Sequence, residues 1–282
     1  MKSMSEVRQD AESPREGPAP LYSAAPGLID LWRAAFLLPL LLHLTRSDLL
    51  ARYRRTVLGP FWLTLGTAAG TLGLGFVWAE LFKIDRAQFI PSLTVGLIMW
   101  QLISGCVVEA STSFTRQGMI IRNLTVPIAI HPMQVVLKHL VNFAHNAPVF
   151  VAVALFFELQ PTAATLWAIP LLLLVALNLM WMTLLLSVLG ARFRDLEHLI
   201  AAAMPLLMFL SPVFYRPASL TVTAHLVWFN PLSHLIEVVR YPLLGMAPPT
   251  FLLVSNVAMA AVGWAVALAL FNAKRDRIAY WI

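Results

Sequence analysis

Six long intervals without a charged residue dominate the pattern of this chain. They cover residues 56–79, 87–108, 139–157, 159–191, 198–215 and 241–273. A helix needs about 20 predominantly apolar residues to cross the hydrocarbon core of a bilayer. The pattern therefore predicts six membrane-spanning helices, at about residues 57–79, 88–108, 139–157, 165–189, 198–215 and 250–272.

Prolines set two of these boundaries. Pro161 and the pair Pro248-Pro249 lie inside intervals that are too long for one helix. Because proline is tolerated in the first turn of a helix but not in its interior, these residues indicate helix starts near 165 and 250. The shortest interval, 198–215, contains two prolines of its own.

A shorter apolar block precedes the first predicted span. Residues 31–44 are mostly apolar but carry Arg33 and contain Pro39. This pattern favours a helix that lies along the membrane surface, and we place an amphipathic interface helix at residues 28–55. The alternative is a seventh span, which would put the N-terminus on the outer side.

The N-terminal residues 1–27 are polar and rich in Pro, Ser and Glu. Such a segment buries too little apolar surface to fold by itself, so we predict a disordered cytoplasmic tail followed by one transmembrane domain at residues 28–282. No apolar run follows the first Met-Lys pair, and we therefore expect no cleaved signal peptide.

Composition places the chain in the all-α integral membrane class. Hydrophobic residues make up 59% of the 282 residues and charged residues 12%, whereas a soluble domain carries about 25% charged residues. The mean hydropathy is +0.76. Basic residues are scattered over the loops, which argues against nucleic-acid binding. The one cysteine, Cys106, allows neither an intrachain disulfide nor a thiolate metal cluster, and we expect no metal site.

The distribution of Lys and Arg predicts the orientation. With six spans and both termini inside, the inner segments hold 16 of the 20 basic residues and the outer loops hold four. Basic residues are retained on the cytoplasmic side of a membrane. The bias predicts a multi-pass protein whose N- and C-termini are cytoplasmic.

The motifs of ATP binding and of common hydrolases are absent from the sequence. None of the four lysines follows a glycine, so the chain has no P-loop. No HExxH or GxSxG motif occurs, and no Asp or Glu lies in the middle of a predicted span. ATP-driven transport would therefore need a separate nucleotide-binding subunit, and no catalytic residue is predicted.

One predicted span carries several polar residues on a single helix face. The spacing of three, three and one residues aligns four side chains in the third span, namely His139, Asn142, His145 and Asn146. They could hydrogen-bond to other helices, line a wet pathway or relay protons. Hydrogen bonding between helices is the commonest of these roles.

A basic cluster marks the entrance to the first span. Arg52, Arg54 and Arg55 come just before the pair Gly59-Pro60, after which no charge occurs until Glu80. The arginines favour the anionic cytoplasmic face of a membrane. The Gly-Pro pair breaks one helix and allows another to start, so the segment is expected to be an elbow between the interface helix and the first span.

The loop between the second and third spans, residues 115–132, mixes basic and apolar residues. Arg116 and Arg122 flank an apolar patch formed by Met119, Ile120, Ile121 and Leu124. Such a patch in a short cytoplasmic loop should be covered by something. It either packs on the interface helix of the same chain or docks a soluble partner.

The loop between the fifth and sixth spans predicts an amphipathic helix at the outer surface. Asn230 suits the N-cap and Pro231 the first turn. Leu235 and Ile236 belong to an apolar stripe, and Arg240 lies off that stripe. Together with the aromatic bend SPVFYRP at residues 211–217, this helix could close an exit.

These residues resemble the membrane subunit of type-2 ABC exporters, specifically the branch that moves O-antigen, capsule or teichoic acid. The resemblance runs from about residue 28 to the C-terminus and is carried by SDLLARYRRTVLGPFW, VPIAIHP, ARFRDLEH, SPVFYRP and NPLSHLIEVVRYPLLG. It implies a homodimer of six-helix permease subunits in the bacterial inner membrane. It also implies that a separate ABC ATPase binds the ATP and Mg, so that this chain is a transport subunit and not an enzyme.

The resemblance assigns roles to three groups of residues. Coupling to the ATPase would involve Arg116, Met119, Ile120, Ile121, Arg122, Asn123 and Leu124. The elbow of the interface helix would comprise Arg52, Arg54, Arg55, Gly59 and Pro60. The outer gate, made of short helices between the fifth and sixth spans, would include Asn230, Pro231, Leu235, Ile236 and Arg240.

Aromatic side chains are the candidates for the substrate channel. Their faces offer sugars a contact that tolerates sequence variation, and a path with few charges avoids trapping a long polar chain. The candidates are Trp62, Trp100, Phe143, Trp181, Phe209, Phe214 and Tyr215. Because Trp and Tyr gather at membrane interfaces in any case, interfacial anchoring is the competing interpretation.

The leading hypothesis is a permease that exports a polysaccharide or a lipid-linked glycan such as O-antigen. Two alternatives remain. One is a type-2 ABC exporter of a small molecule or drug, for which a closed lateral pocket would replace a continuous aromatic path. The other is an integral-membrane enzyme acting on lipid-linked substrates through the face that contains His139 and His145.

Overall fold

The computed structural model describes residues 27–217 and 224–282, and the predicted tail up to residue 26 lies outside the described residues. Every regular element in the described residues is a helix, which confirms the all-α prediction. The α-helices are α1 (Gly27–Phe36), α2 (Leu38–Tyr53), α3 (Phe61–Leu81), α4 (Arg86–Ala110), α5 (Ser113–Arg116), α6 (Gly118–Asn123), α7 (Ile130–Phe156), α8 (Ala168–Arg192), α9 (Leu196–Leu210), α10 (Ala224–Phe229), α11 (Pro231–Leu243) and α12 (Thr250–Trp281). A 3₁₀ turn, Ala163–Trp167, leads into α8.

Five helices in the described part of the chain are long and apolar enough to span a membrane. They are α3, α4, α7, α8 with its 3₁₀ turn, and α12. The helices α7 and α12 extend beyond the apolar intervals of the sequence, because α7 starts at Ile130 and α12 continues to Trp281. This supports the multi-pass membrane class.

The helix α9, in the region of the fifth predicted span, is shorter than the other five. It has 15 residues and is therefore about 22 Å long, against a hydrocarbon core of about 30 Å. Proline explains its end: Ser211 has extended backbone angles, as expected for a residue that precedes a proline, and Pro212 cannot continue the helix. The rest of this segment is a bend.

The interface helix is split into α1 and α2. The two pieces are bent by 75° at Leu37. Pro39 lies in the first turn of α2, where it has no helical hydrogen bond to lose but prevents one continuous helix from forming. The predicted helix at residues 28–55 is therefore two short helices with different directions.

The core of the bundle is built around α4. This helix contacts α3, α7, α8, α9 and α11. In its apolar stretch of 18 residues, 67% of the residues are buried inside the chain, compared with 17% in the corresponding stretch of α3. Close approach of the helices depends on small residues. Gly263 of α12 lies against the ring of Trp181 on α8, where a Cβ atom would collide with the indole.

The two ends of α4 lie in two different clusters of loops and short helices. Its first turns line a cleft with Phe214 and Tyr215 of the bend, whereas Glu109 in its last turn meets α2 and α7. The 25 residues of α4 cover about 37 Å. We refer to the end with α1, α2, α5, α6 and the last turns of α12 as the terminal end, and to the end with residues 211–217, α10 and α11 as the loop end.

Candidate functional site

A cluster of charged side chains joins three helices at the terminal end. Lys138 of α7 pairs with Asp48 of α2, with Nζ 2.8 Å from Oδ2, and with Glu109 of α4. Glu109 also accepts a contact from His139 Nε2 at 2.9 Å and lies 3.9 Å from Arg52. We name these five residues the Lys138 cluster.

Local sequence explains how the Lys138 cluster assembles. Asp48 and Arg52 are four residues apart on α2 and therefore share one helix face. Only 3% of the Lys138 side chain is exposed, compared with 41% of the Asp48 side chain. A lysine buried this deeply is stable as a cation only when carboxylates accompany it. The cluster is therefore an ion-pair junction in which α2, α4 and α7 meet.

A cavity of about 440 Å³ opens beside the Lys138 cluster. Its lining includes Arg52, Glu109, Arg116, His131 and Gln134. The cavity thus brings together two residues that the sequence assigned to different sites, since Arg52 belongs to the predicted elbow and Arg116 to the predicted coupling region. Asp48, Glu109 and Lys138 were not among the predicted site residues; the signal available in the sequence was that they are three of the few charged residues close to the predicted elbow and coupling loop.

The coupling residues divide into an inner and an outer set. Ile121 is buried in a cluster that includes Ala34 of α1 and Phe114 of α5, so part of the apolar patch belongs to a core that the chain itself provides. Met119 is 73% exposed and Leu124 is also exposed. The packing interpretation therefore applies to Ile121, and Met119 and Leu124 lie at the surface of the chain.

The other coupling residues lie on the short helices themselves. Ile120 is half-buried, and Arg116, Arg122 and Asn123 are exposed. Asn123 Nδ2 donates to the carbonyl oxygen of Met119 at 2.8 Å, and Arg122 Nε donates to that of Gly118 at 3.4 Å. These bonds keep α6 helical, although it has only six residues.

The C-terminus of the chain lies beside α6. A Cβ atom on Gly118 would be 3.9 Å from Cβ of Ile282, and the guanidinium of Arg192 lies 5.5 Å above the ring of Trp281. Phe193 and Tyr280, next to these residues, are exposed. We name the exposed apolar set at this end the Met119 face; it consists of Met119, Leu124, Phe193 and Tyr280.

The elbow between α2 and α3 depends on two residues with positive φ. Arg55 has φ 68° and Gly59 has φ 53°. Pro60 then precedes α3 at its N-cap. Arg54 and Arg55 are exposed, whereas Arg52 faces Glu109. The elbow therefore ends α2 and starts α3 by local backbone geometry, and among its three arginines Arg52 belongs to the Lys138 cluster.

A buried aspartate anchors the interface helix. Asp30 of α1 accepts a 2.9 Å hydrogen bond from the backbone N–H of Ala129 and lies 3.3 Å from the guanidinium of Arg275 on α12. Burial raises the pKa of the Asp30 carboxyl, and the Ala129 N–H and Arg275 oppose that rise. This link between α1, the start of α7 and α12 was not predicted; its signal was a single carboxylate within an apolar helix.

At the loop end, Asn230 caps α11 as the sequence predicts. Its Oδ1 accepts from the backbone N–H of Leu232 at 3.0 Å, and Pro231 occupies the first turn. Asn230 Nδ2 also donates to Ser211 Oγ at 2.8 Å. One side chain therefore starts α11 and ties it to the bend that follows α9. Leu235 and Ile236 on the stripe of α11 are fully buried.

Arg240 of α11, which the sequence places off the apolar stripe, is fully buried. Its guanidinium donates to the backbone carbonyls of Pro212 and of Tyr215, the latter at 3.3 Å, and pairs with Glu237. Burial raises the pKa of the Glu237 carboxyl, an effect that Arg240 opposes. Glu237 and Arg240 thus lie off the apolar stripe of α11 but are buried, and Arg240 faces the bend and not the solvent.

Four aromatic rings gather between α3, the end of α9 and the bend. The ring centroid of Phe214 is 5.0 Å from Trp78 and 5.6 Å from Phe209, and Trp78 lies 5.8 Å from Phe82. A cleft of about 490 Å³ is lined by Trp78, Phe82, Phe214 and Tyr215. Three of the predicted channel residues are thus neighbours, and the sequence had not selected Trp78 or Phe82.

The other predicted channel aromatics lie apart from this cleft. Trp62 is exposed at the start of α3, and Trp100 is buried in the core. Phe143 lines a separate cavity of about 300 Å³. Trp181 packs on Gly263 and donates from Nε1 to Asn178 Oδ1 at 3.0 Å. Within one chain, the seven aromatics do not form a continuous surface.

The polar face of α7 makes contacts between helices. His139 contacts Glu109 of α4, and Asn146 Nδ2 donates to Gln101 Oε1 of α4 at 2.7 Å. Gln101 in turn donates to Thr67 of α3 at 3.0 Å. His145 bonds within its own helix, to the carbonyl of Val141, and Asn142 is buried. Of the three readings of this face, these contacts are the kind expected for hydrogen bonding between helices.

Comparison with known families decides the classification. The model of the ABC-2 type transporter family matches residues 39–244. This is well over half of the chain. The chain belongs to the ABC-2 type transporter family. The match includes the Lys138 cluster, α5 and α6, and continues through the Arg240 contacts of α11.

Individual relatives of this ABC-2 family chain are named as export permeases. It is 25% identical over 260 residues to an O-antigen export system permease protein RfbA of Klebsiella pneumoniae, covering 88% of this chain and 96% of that protein. A second Klebsiella pneumoniae protein of that name is 26% identical, with 73% and 80% covered. An RfbA of Myxococcus xanthus is 28% identical, with 62% and 68% covered. The resemblance seen in the motifs and the prediction of a transport subunit are confirmed.

Proposed function

We propose that this chain is the permease subunit of an ATP-driven exporter that moves a polysaccharide or lipid-linked glycan, such as O-antigen, out of the cytoplasm. The observation that carries the proposal is the similarity to an O-antigen export permease over 88% of this chain and 96% of that relative. Similarity of this extent includes both ends of the bundle and not only the apolar spans.

The ATPase partner is proposed to dock at the terminal end. The sequence has no P-loop, so ATP and Mg would bind to a separate ABC subunit. The Met119 face lies beyond basic residues such as Arg192 and Arg277, which favour the level of the lipid headgroups. Because lipid tails do not reach beyond the headgroups, we expect a soluble protein to cover this exposed apolar patch. Phe193 and Tyr280 extend the predicted coupling region.

The terminal end is proposed to face the cytoplasm of a bacterium, with the chain in the inner membrane. Among the described residues, 13 of the 17 Lys and Arg belong to segments at this end, and four belong to the outer loops under that orientation. Basic loops remain on the cytoplasmic side. Both the first described helix, α1, and the last turns of α12 lie at the terminal end, consistent with two cytoplasmic termini.

The glycan path is proposed to be shared between two copies of the chain. Only 17% of the apolar stretch of α3 is buried inside the chain. Open space surrounds the positions where side chains would be on Gly66, Gly70 and Gly73. Small residues allow membrane helices to approach closely. The aromatic cleft at the loop end, beside Phe214 and Tyr215, would then contact sugars as they leave, with α11 as the gate.

Purification and cell-surface assays test this function together. The permease should co-purify with an ABC ATPase, and deletion of its gene should remove a surface polysaccharide that the intact gene restores. Absence of an associated ATPase would overturn the proposal. Restoration of drug resistance without any change in surface polysaccharide would instead identify the small-molecule exporter.

A further inference from the structure

The ion pairs of Lys138 connect the interface helix to both ends of the segment that contains α5 and α6. Glu109 is the next-to-last residue of α4, the helix before this segment, and Lys138 lies in the third turn of α7, the helix after it. Asp48 belongs to α2. A single ammonium group therefore holds three stretches of chain that are 29 and 90 residues apart in sequence.

Burial makes this connection a rigid one. The Lys138 side chain is 3% exposed and that of Glu109 is 14% exposed. If α2 or α4 moved away alone, the buried ammonium group of Lys138 would lose one of its two carboxylates in a poorly solvated site, which is unfavourable. Movement of the three helices as one unit keeps both ion pairs of Lys138 intact and is therefore favoured over movement of one helix alone.

The packing of α2 against α7 supports the role of Lys138 in linking these two helices. Apart from the bend to α1, the helix that α2 contacts most extensively is α7. One further polar contact between the two helices is the hydrogen bond from Gln134 Nε2 to the carbonyl of Leu44, at 3.4 Å. The Lys138–Asp48 pair is shorter, at 2.8 Å, and it is charged. It is thus the strongest polar link from α7 to α2 among the described contacts.

We propose that Lys138 is a positioning residue that transmits movement of the α5–α6 segment to the interface helix α2. The inference rests on the proposed function, because the ATPase is what would move this segment. Asp48 is the contact on the receiving side and Glu109 the contact on the driving side. Loss of the junction leaves ATP hydrolysis intact and reduces the amount of glycan exported for each ATP hydrolysed.

The test uses the full permease with its ATPase. Purified complexes give the ATP hydrolysis rate, and intact cells that carry the same variant give the surface carbohydrate released by mild extraction. The variants are Asp48→Asn, Lys138→Met and the conservative changes Asp48→Glu and Lys138→Arg. Glu80→Gln is the matched control, since Glu80 forms an exposed ion pair with Arg86.

The expected result is a loss of coupling and not a loss of assembly. We expect Asp48→Asn and Lys138→Met to lower surface carbohydrate per unit of ATPase activity at least about fivefold, the low end of typical coupling effects. The conservative changes should restore most of that ratio, and Glu80→Gln should leave it unchanged. A purely structural role would lower hydrolysis and export together.

Two outcomes overturn the inference: an unchanged ratio in Asp48→Asn and Lys138→Met, or a parallel fall of hydrolysis and export. If Lys138→Met fails to assemble, Asp48→Asn decides, because Asp48 is 41% exposed and its loss leaves the Lys138–Glu109 pair in place. If the wild-type complex itself hydrolyses no ATP or exports no carbohydrate, the proposed function fails, which is a different result.

Discussion

Lys138 and Arg240 are both buried cations, and each is suited to its own partners. Lys138 pairs with carboxylates that come from two other helices. Arg240 donates to the carbonyls of Pro212 and Tyr215 and pairs with Glu237 on its own helix. A planar guanidinium reaches several acceptors at fixed angles, whereas an ammonium is a compact point charge. The two residues are therefore not interchangeable.

Replacement of Arg240 by Met should destabilise the loop end. The change leaves the carboxylate of Glu237 buried without its partner, and removing one member of a buried pair costs about 3–5 kcal/mol. Thermal unfolding of the purified protein in detergent measures this effect. Arg86→Met is the control, since Arg86 forms an exposed pair with Glu80.

A double variant separates the charge from the rest of the contact. Glu237→Gln combined with Arg240→Met should be more stable than Arg240→Met alone, because no uncompensated charge remains. Equal stability of the single and double variants would show that the bonds to the Pro212 and Tyr215 carbonyls, and not the charge pair, dominate.

Asn230 offers a test of the link between α11 and the bend. Asn230→Ala removes both the cap on Leu232 and the bond to Ser211, and loss of an N-cap costs about 0.5–2 kcal/mol. Asn230→Asp keeps the cap acceptor but loses the donor to Ser211. We expect unfolding temperatures in the order wild type, Asp variant, Ala variant; an Asp variant no better than the Ala variant would contradict the capping role.

Among the helices, packing depends on where small residues lie. On α12, Gly263 is covered by Trp181 of α8, whereas on α3 Gly70 meets open space. Both are glycines in long apolar helices, and the sequence does not distinguish them. The difference arises because α8 and α12 lie side by side, while α3 is the least buried of the spanning helices.

Alanine at these two positions should have opposite effects on stability. Gly263→Ala forces the indole of Trp181 to move, and overpacking of this kind costs about 1–3 kcal/mol. Gly70→Ala introduces no clash and removes the backbone freedom of glycine, a gain of about 0.5–1 kcal/mol. Unfolding of the detergent-solubilised monomer measures both, and destabilisation by Gly70→Ala would contradict the assigned packing.

The whole molecule places two different kinds of surface at its two ends. The terminal end combines the Lys138 cluster with the exposed Met119 face, and the loop end combines α11, the proposed gate, with an aromatic cleft. Such an arrangement suits a protein that receives energy on one side of a membrane and releases substrate on the other.

Cysteine labelling in intact cells should reveal this orientation. Cys106 is buried, and the substitution Cys106→Ser removes its thiol. This variant is a background in which only an introduced cysteine can be labelled. Tyr280→Cys lies at the terminal end and Phe229→Cys at the loop end, and both native side chains are strongly exposed. In cells that lack the ATPase subunit, a membrane-impermeant maleimide should label Phe229→Cys while the cells are intact and Tyr280→Cys only after the membrane is opened. The reverse pattern would reverse the proposed topology.

Much of the architecture could be predicted because it depends on local properties of the chain. Apolar intervals indicated the spanning helices α3, α4, α7, α8 and α12, and Asn230-Pro231 indicated the start of α11. The split of the interface helix at Leu37 and the early end of α9 were missed, although Pro39 and Pro212 were visible. Proline marks a possible break, and its effect depends on what the following residues pack against.

The candidate sites were predicted only in part. The roles assigned to the coupling region, the elbow and the gate stay predictions, and the partners that hold these residues in the fold were not found from the sequence. Asp48, Glu109 and Glu237 carry the ion pairs at the two ends, and the sequence indicated a partner for none of them. A contact of this kind depends on two helices meeting, which no local pattern records.

By itself, the sequence determined the membrane class, most of the spanning helices, the charge bias and the caps and breaks, because hydrophobic transfer and backbone preference act over a few residues. The tertiary structure alone decided which buried charges meet and which glycines are covered. Lys138 and Asp48 are 90 residues apart, and their pairing depends on the packing of α2 against α7. That packing is the sum of many contacts, and it converts scattered polar residues into a junction.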